Sequence, residues 1–248
     1  MAGYKTDLDA LRTNKLSREG RLNVQQIESF RNKHLGERCV IIGNGPSLNN
    51  TNLDLLRGET TFGLNRIYLM FEKLGFTTSY HTVINQLVVE QCAEDFSNLQ
   101  GPLFTTLPSR AHIGERPNTS FLNKLVGPRF SKDISHGIWE GATVTFAAMQ
   151  VAYYMGFTEV VLVGVDHSFV SKGPAHKQVE SAGADPNHFD PNYFGKGFKW
   201  QLPDLDTSEI AYELARETYN AVGRSIVDAT VDGKLTVFPK VRLEDVLR

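Results

Sequence analysis

Three observations predict an α/β fold with a mostly parallel sheet and helices on both faces. Short apolar runs rich in β-branched residues alternate with segments whose apolar residues have helical spacing. The 248 residues fit one large α/β domain, or one domain with a small lid. Finally, the apolar run 38–42 leads directly into Gly43-Asn44-Gly45-Pro46-Ser47-Leu48. α/β proteins place their ligands at such strand-to-turn junctions.

The elements follow each other in a regular order along the chain. Residues 1–20 are polar and predict a surface arm, and 23–34 have helical spacing, so 1–36 is predicted as an N-terminal arm and helix. Strands are predicted over 38–43, 60–64, 79–84, 102–106 and 159–164, with helices near 52–57, 67–74, 87–96 and 142–155. Residues 107–135 are less regular. A helix over 207–222 and terminal strands over 225–230 and 235–238 complete a single predicted domain, 1–248.

The segment 167–206 departs from this alternation. It is rich in Gly, Pro, Asn, His and aromatic residues. Loops of this length in compact domains are functional or disordered, and the aromatic side chains argue against disorder. We therefore predict a lid or an acceptor-binding loop.

Composition excludes several function classes. The chain is 41% hydrophobic and 22% charged with a net charge of −2, which lacks the basic excess of a nucleic-acid binder. No apolar run approaches the roughly 20 residues of a membrane helix, and the N-terminus lacks the apolar core of a signal peptide. The two cysteines, Cys39 and Cys92, imply neither a disulfide framework nor a zinc site. A cytoplasmic protein is the expectation.

The turn Gly43–Leu48 is the strongest candidate for ligand contact. Gly43 and Gly45 would let the backbone approach a phosphate or a sugar, Pro46 stiffens the exit, and Asn44 and Ser47 offer side-chain hydrogen bonds. The turn lacks the third glycine of a dinucleotide fingerprint and the Gly-Lys-Ser/Thr of a phosphate loop. The alternative is an ordinary strand-to-helix turn.

Polar residues recur where the predicted strands end. Asn44, Asn65 and Asn85 follow the first three strands, and Asp166 follows a fourth. In a parallel sheet these ends lie on one edge, so the side chains would converge on a ligand. The alternative is that each Asn only caps the helix after it.

A second small-residue turn, Gly141-Ala142-Thr143, opens the helix at 142–155. Its amides at the positive end of the helix would suit a phosphate or a carboxylate. Capping of the helix by Thr143 is the alternative.

A histidine near neutral pKa is the usual base for an alcohol. His188 in the predicted lid is the candidate, with His167, His176 and Asp166 as rivals. His81, inside a predicted strand, is predicted to be structural. Basic residues that could neutralise phosphate, or be surface charges only, are Arg66, Lys172 and Lys177.

The order of these motifs over residues 38–190 resembles that of the bacterial sialyltransferases that decorate lipooligosaccharide. It also resembles the wider family of domains similar to archaeal 6-hydroxymethylpterin diphosphokinase, and the motility-associated flagellin glycosyltransferases. The resemblance implies a Rossmann-like domain with a lid that uses a CMP-activated sugar.

The resemblance also implies roles for individual residues. Asn44 and Asn65 would contact the nucleotide and its phosphates, and Asn85 the donor sugar or phosphate. The turn at 141–143 would bind the donor carboxylate or the cytidine, and His188 would activate the acceptor hydroxyl. The sialyltransferases stabilise the leaving phosphate with two lid tyrosines, which this chain lacks between 166 and 188. Substitutes are available in Ser168, Ser171, Lys172, His176 and Lys177, and Tyr193 comes later.

Three functions follow as hypotheses. The first is a glycosyltransferase that moves a CMP-linked nonulosonic acid to a glycan or glycolipid acceptor in surface glycan synthesis, with Asp166 and His188 as catalytic residues and no metal. The second is pyrophosphate transfer from Mg-ATP to a pterin alcohol, with Asp166, Asp185 and Asp190 as candidate ligands. The third is a non-catalytic nucleotide-sugar binding module. Peripheral docking on the inner membrane face and a homo-oligomer are further expectations.

Overall fold

A sheet of seven parallel strands lies at the centre of the computed structural model, which describes residues 17–170 and 173–247. The predicted α/β class is confirmed. The strands of the protein are Arg38–Ile42 (β1), Thr61–Leu64 (β2), Tyr80–Val83 (β3), Leu103–Thr106 (β4), Thr119–Leu122 (β5), Glu159–Val163 (β6), Gln178–Glu180 (β7), Lys199–Gln201 (β8) and Ser225–Asp228 (β9). The parallel sheet has the order β5-β4-β3-β2-β1-β6-β9, and β7 and β8 form a separate antiparallel hairpin.

Helices cover the sheet. They are Arg18–Glu28 (α1), Phe71–Leu74 (α2), Gln86–Gln91 (α3), Ala93–Asn98 (α4), Arg110–Ile113 (α5), Val144–Met155 (α6), Leu205–Asn220 (α7) and Leu243–Val246 (α8), with 3₁₀ turns at Pro46–Asn50, Leu53–Leu56, Ile67–Met70 and Leu107–Ser109. Helix α6 packs on β1, β2, β3 and α7, and it is buried nearly all round because its sequence is apolar on every face.

Two buried clusters, one on each face of the sheet, form the core. Alternate residues of β1 divide between them: Cys39 and Ile41 belong to the cluster with α6, and Val40 and Ile42 to the other. This division follows from the period of two along a strand. Burial on both faces explains why the strands read as continuous apolar runs.

The chain changes direction across the sheet at β1. Strands β2 to β5 are added on one side of β1, and the chain then returns to place β6 on its other side. The carboxyl ends of β1 and β6 therefore flank the topological switch point, where open α/β sheets bind ligands.

Several element predictions are wrong in detail. Strand β5 lies in the stretch predicted as irregular, and residues 235–238 form no strand. The predicted helix 87–96 is interrupted at Cys92. The predicted helix 23–34 corresponds to α1, which begins and ends earlier, at Arg18 and Glu28. Ser17 is the N-cap of α1 and accepts a hydrogen bond from the Gly20 amide. The part of the predicted arm before residue 17 lies outside the described residues, and the single-domain extent stays a prediction.

Described residues of the predicted lid belong to the cluster that contains Val40 and Ile42. Its hairpin pairs Val179 with Trp200, and Trp200 packs into that cluster together with Phe189, Tyr193 and Phe194. Helix α7 begins at Leu205, so we use "lid" below for residues 167–204.

Candidate functional site

A cavity of about 620 Å³ opens at the carboxyl ends of the strands, between the sheet and the lid. It brings together most of the residues that the sequence predicts for the site, although they come from strand ends, the α6 turn and the lid. Those that line it are Gly43, Asn44, Gly45, Asn65, Asn85, Ala142, Thr143, Asp166, His167 and His188.

The glycine-rich turn is packed against the end of β6. The Gly45 amide donates to the Gly164 carbonyl at 2.9 Å, and a Cβ at Gly43 would overlap that carbonyl. A Cβ at Gly45 would overlap the carboxylate of Asp166. Both glycines are therefore required by close packing at the switch point, in addition to any ligand contact.

Asp166 holds the turn. Its carboxylate accepts from the Ser47 hydroxyl at 2.6 Å and from the Ser47 amide at 3.1 Å. Burial raises the pKa of Asp166, and the two Ser47 hydrogen bonds oppose that shift. The catalytic role of Asp166 stays a prediction, and its geometry supports a positioning role for the turn.

Asn44 and Asn65 each place a side-chain oxygen where no described protein group bonds it. Asn44 Nδ2 donates to the Leu64 carbonyl at 3.0 Å, which orients the amide and leaves the buried Oδ1 without a partner. Asn65 Oδ1 is also buried and unpartnered. Buried polar groups are normally satisfied, so these two acceptors suit ligand hydroxyl or N–H donors.

The backbone around the cavity is strained at several positions. Asn65, Ala142, His167 and His176 have positive φ, between 45° and 62°, and all four line the cavity. Non-glycine residues in this region cost energy and cluster at functional sites.

Two of the alternatives to ligand binding are correct as local structure. Asn85 caps α3, because its Oδ1 accepts from the Leu87 and Val88 amides. Thr143 caps α6 by accepting from the Thr145 amide at 3.3 Å. Both residues nevertheless line the cavity, so the caps do not remove them from the site.

His188 lines the cavity and forms a pair with the buried Asp185. Nδ1 of His188 donates to Asp185 Oδ2 at 2.7 Å, with side-chain exposures of 13% and 4%. The imidazole stacks on Tyr193 with ring centroids 3.9 Å apart. The Phe194 amide also donates to Asp185, at 3.2 Å. Nε2 is the ring nitrogen left for proton transfer, and the ring is held in one orientation.

The role of Asp185 was missed at the sequence level, where Asp185 appears only as a candidate magnesium ligand. The i, i+3 spacing of Asp185 and His188 was the available signal. This spacing alone does not predict a pair, because the side chains meet only through a local turn. In that turn the Asn187 amide donates to Asp185 Oδ1.

Arg66 and Tyr193 lock the lid to the sheet. The Arg66 guanidinium donates to the Tyr193 carbonyl, and the Arg66 amide donates to the Tyr193 hydroxyl at 3.3 Å. Tyr193 is fully buried, and burial raises its pKa. Neither residue lines the cavity, nor do Pro46, Ser47 and Gly141. Lys172 lies outside the described residues.

Two further histidines line the cavity, each bonded to a carboxylate. His167 Nε2 lies 2.9 Å from Glu209 Oε1, and His176 Nε2 lies 3.0 Å from Asp204 Oδ2. Lys124, which the sequence analysis did not single out, also lines the cavity and is ion-paired with Glu140 at 2.8 Å.

Within residues 17–170 and 173–247, no three His, Cys, Asp or Glu side chains are grouped so that they could hold a metal ion. In the same residues, no helix has both the length and the apolar character to cross a membrane.

The fold is that of an open α/β protein, and the cavity lies at the topological switch point, where proteins of this class bind their ligands. The chain belongs to the 6-hydroxymethylpterin diphosphokinase MptE-like family, whose sequence model matches residues 16–172.

A solved structure of low sequence identity shares the fold. The MAf glycosyltransferase from Magnetospirillum magneticum AMB-1 matches with a TM-score of 0.54 and 11% identity over 91% of this chain. This chain spans 38% of that protein. No curated protein matches the chain by sequence.

Proposed function

We propose that this protein is a transferase that binds a nucleotide-activated donor in the cavity and passes the activated group to an alcohol. The observation that carries this proposal is His188 on the cavity wall, with its ring held by a hydrogen bond to Asp185. The carboxylate of Asp185 accepts from Nδ1, so the neutral ring has an unprotonated Nε2. An oriented imidazole of this kind acts as a general base for a hydroxyl group.

A CMP-linked nonulosonic acid is the donor that we propose, with a glycan or glycolipid hydroxyl as acceptor. Among the described residues that line the cavity, Lys124 is the one Lys or Arg, and Glu140 neutralises it. Asparagine amides and small residues make up much of the cavity wall where the nucleotide-sugar donor would bind. Such a wall suits the single phosphodiester of a CMP-sugar better than a triphosphate. The fold shared with the MAf glycosyltransferase is consistent with this choice.

The family match favours a second candidate, pyrophosphate transfer from Mg-ATP to a pterin alcohol. This reaction also begins with a hydroxyl that loses its proton, so His188 would keep its role. Of the three carboxylates considered for magnesium, Asp166 accepts a hydrogen bond from Ser47 and Asp185 accepts one from His188. Asp190 accepts from the Asn192 amide and does not line the cavity. Magnesium would therefore reach the site mainly on the ATP phosphates, as it does where few carboxylates are available.

Replacing the base tests both candidates. We expect His188→Ala to lower turnover by roughly 10²–10⁴, the usual contribution of a general base. Turnover is measured with a CMP-sugar and glycan acceptors, and separately with ATP, magnesium and 6-hydroxymethylpterin. Asp185→Asn should also lower turnover, because an amide no longer enforces the Nδ1–H tautomer.

His112→Ala is the matched control, since His112 makes a surface pair with Glu90 away from the cavity. Turnover of His188→Ala within about threefold of wild type would contradict the assignment of the base. Tight CMP binding by the wild type with no turnover on any acceptor would indicate a binding module.

The cytoplasmic location, docking on the inner membrane face and a homo-oligomer stay predictions.

A further inference from the structure

His167 is a second oriented histidine on the cavity wall, and the chemistry proposed for His188 leaves it unused. It follows Asp166 in the loop after β6, at a φ of 53°. Its side chain is 7% exposed, although it lines the cavity. A buried ring at a strained backbone position points to a function beyond surface solvation.

The two ring nitrogens of His167 are in different situations. Nε2 donates to Glu209 Oε1 on α7 at 2.9 Å. Nδ1 has no bonding partner among the described residues. A carboxylate that holds one nitrogen fixes the ring and stabilises the positive charge that appears when the other nitrogen takes a proton.

The surroundings of His167 suit a negatively charged ligand group. Its ring packs edge-on against Tyr212, with centroids 5.9 Å apart, and the Tyr212 hydroxyl lies 3.1 Å from Thr143 Oγ1. Thr143 caps the 12-residue helix α6. Tyr212 therefore connects the ring to the positive end of a helix whose first residues also line the cavity.

We propose that His167 contacts the phosphate of the departing nucleotide through Nδ1, while Glu209 holds the ring. This inference rests on the proposed function. The acceptor oxygen forms a bond to the activated centre of the donor, and the bond from that centre to the nucleotide phosphate oxygen breaks. The acceptor proton goes to His188 Nε2. The bonding electron pair goes to the phosphate oxygen, where the His167 imidazolium donates a hydrogen bond and offsets the new charge.

Other cavity residues suit this task less well. The His176 side chain is 62% exposed, so water competes with a ligand for its ring nitrogens. Lys124 is neutralised by Glu140. Among the described residues that line the cavity, His167 combines a buried ring that a carboxylate holds with a second ring nitrogen that has no partner.

A pair of substitutions separates ligand contact from structural support. His167→Gln can keep the bond to Glu209, because the Gln amide nitrogen replaces Nε2, but it removes the donor at Nδ1. His167→Asn replaces Nδ1 and loses the bond to Glu209. The probes are CMP against cytidine and AMP against adenosine, which differ only in the phosphate, and affinity is measured by calorimetry.

We expect His167→Gln to weaken binding of the nucleotide that the wild type binds by roughly 10- to 100-fold, the value of a charge-assisted hydrogen bond. Binding of the matching nucleoside should not change, and His167→Asn should keep most of the nucleotide affinity. His112→Gln, at a histidine–carboxylate pair outside the cavity, is the control. Melting curves of all variants check the fold.

Equal CMP or AMP affinity in His167→Gln and the wild type would overturn the inference and leave the proposed function standing. Equal losses for nucleotide and nucleoside, or a loss confined to His167→Asn, would assign His167 a structural role and also overturn it. If the wild type binds neither CMP nor AMP, the proposed function fails and this inference with it.

Discussion

His81 supports the site from inside the sheet. Its Nε2 donates to the Asn65 carbonyl at 2.6 Å, and this bond holds Asn65 in its left-handed conformation. Burial lowers the pKa of His81 from 6.5 to about 4. The structural role predicted for His81 from its place in a strand agrees with this contact.

The lowered pKa of His81 predicts a loss of stability in mild acid. Below about pH 6.5 the His81 side chain binds a proton in the unfolded chain but not in the folded protein. The free energy of unfolding therefore decreases as the pH is lowered, until about pH 4. Between pH 7 and pH 5 the loss should be roughly 2 kcal/mol. Urea unfolding at the two pH values measures it.

The control is His81→Gln, which can keep the donor to Asn65 but does not titrate. Its stability should fall by roughly 2 kcal/mol less than that of the wild type over the same interval. Parallel pH profiles for the two proteins would show that His81 is protonated in the folded state.

Single residues were predicted well where the strand alternation alone places them. Asn44, Asn65 and Asn85 meet at one cavity because parallel strands end on one edge. Arg66 and Tyr193 were harder, because a sequence does not show that a guanidinium will bond a carbonyl 127 positions away. The bond between Ser47 and Asp166 was hidden for the same reason.

At the scale of elements, the turn after β1 and the end of β6 form one unit. Gly43 contacts the backbone of Gly164, and Gly45 leaves room for the Asp166 carboxylate that binds Ser47. Leu48 closes the unit by packing against Gly164.

Gly45→Ala should break this unit. The new methyl would overlap Asp166, so the carboxylate must leave Ser47, and overpacking of this kind costs roughly 1–3 kcal/mol. Gly183→Ala is the matched control, because a methyl there meets open space at an ordinary φ. Urea unfolding measures both, and equal stabilities of the two variants would argue against the packing role of Gly45.

The missed elements show what periodicity does not reveal. Strand β5 is short, and Asn23 of α1 is hydrogen-bonded to its free edge. Asn23 Nδ2 donates to the Phe121 carbonyl, and Asn23 Oδ1 accepts from the Phe121 amide. That contact spans 98 positions of sequence. Residues 235–238 have strand-like composition, yet Leu235 and Phe238 are buried as loop residues in the α6 cluster.

At the scale of the whole molecule, the lid and the sheet share one core. Phe189, Tyr193 and Trp200 belong to the same cluster as Ile42 of β1, and the Phe189 amide donates to the Asn44 carbonyl at 3.0 Å. The cavity is therefore lined by parts that are packed against each other, so a ligand bound there should stabilise the protein as a whole.

Ligand-linked melting tests this coupling and ranks the donors. A nucleotide at about 100 times its dissociation constant adds roughly 2.7 kcal/mol, which raises the melting temperature by roughly 5–10 °C in a chain of this size. We expect this rise with CMP in the absence of magnesium, and smaller rises with UDP or GDP. A rise that requires ATP and magnesium together would select pyrophosphate transfer instead. If saturating nucleotides of every kind leave the melting curve unchanged, the cavity does not bind a nucleotide, and the three asparagines at its rim need another explanation.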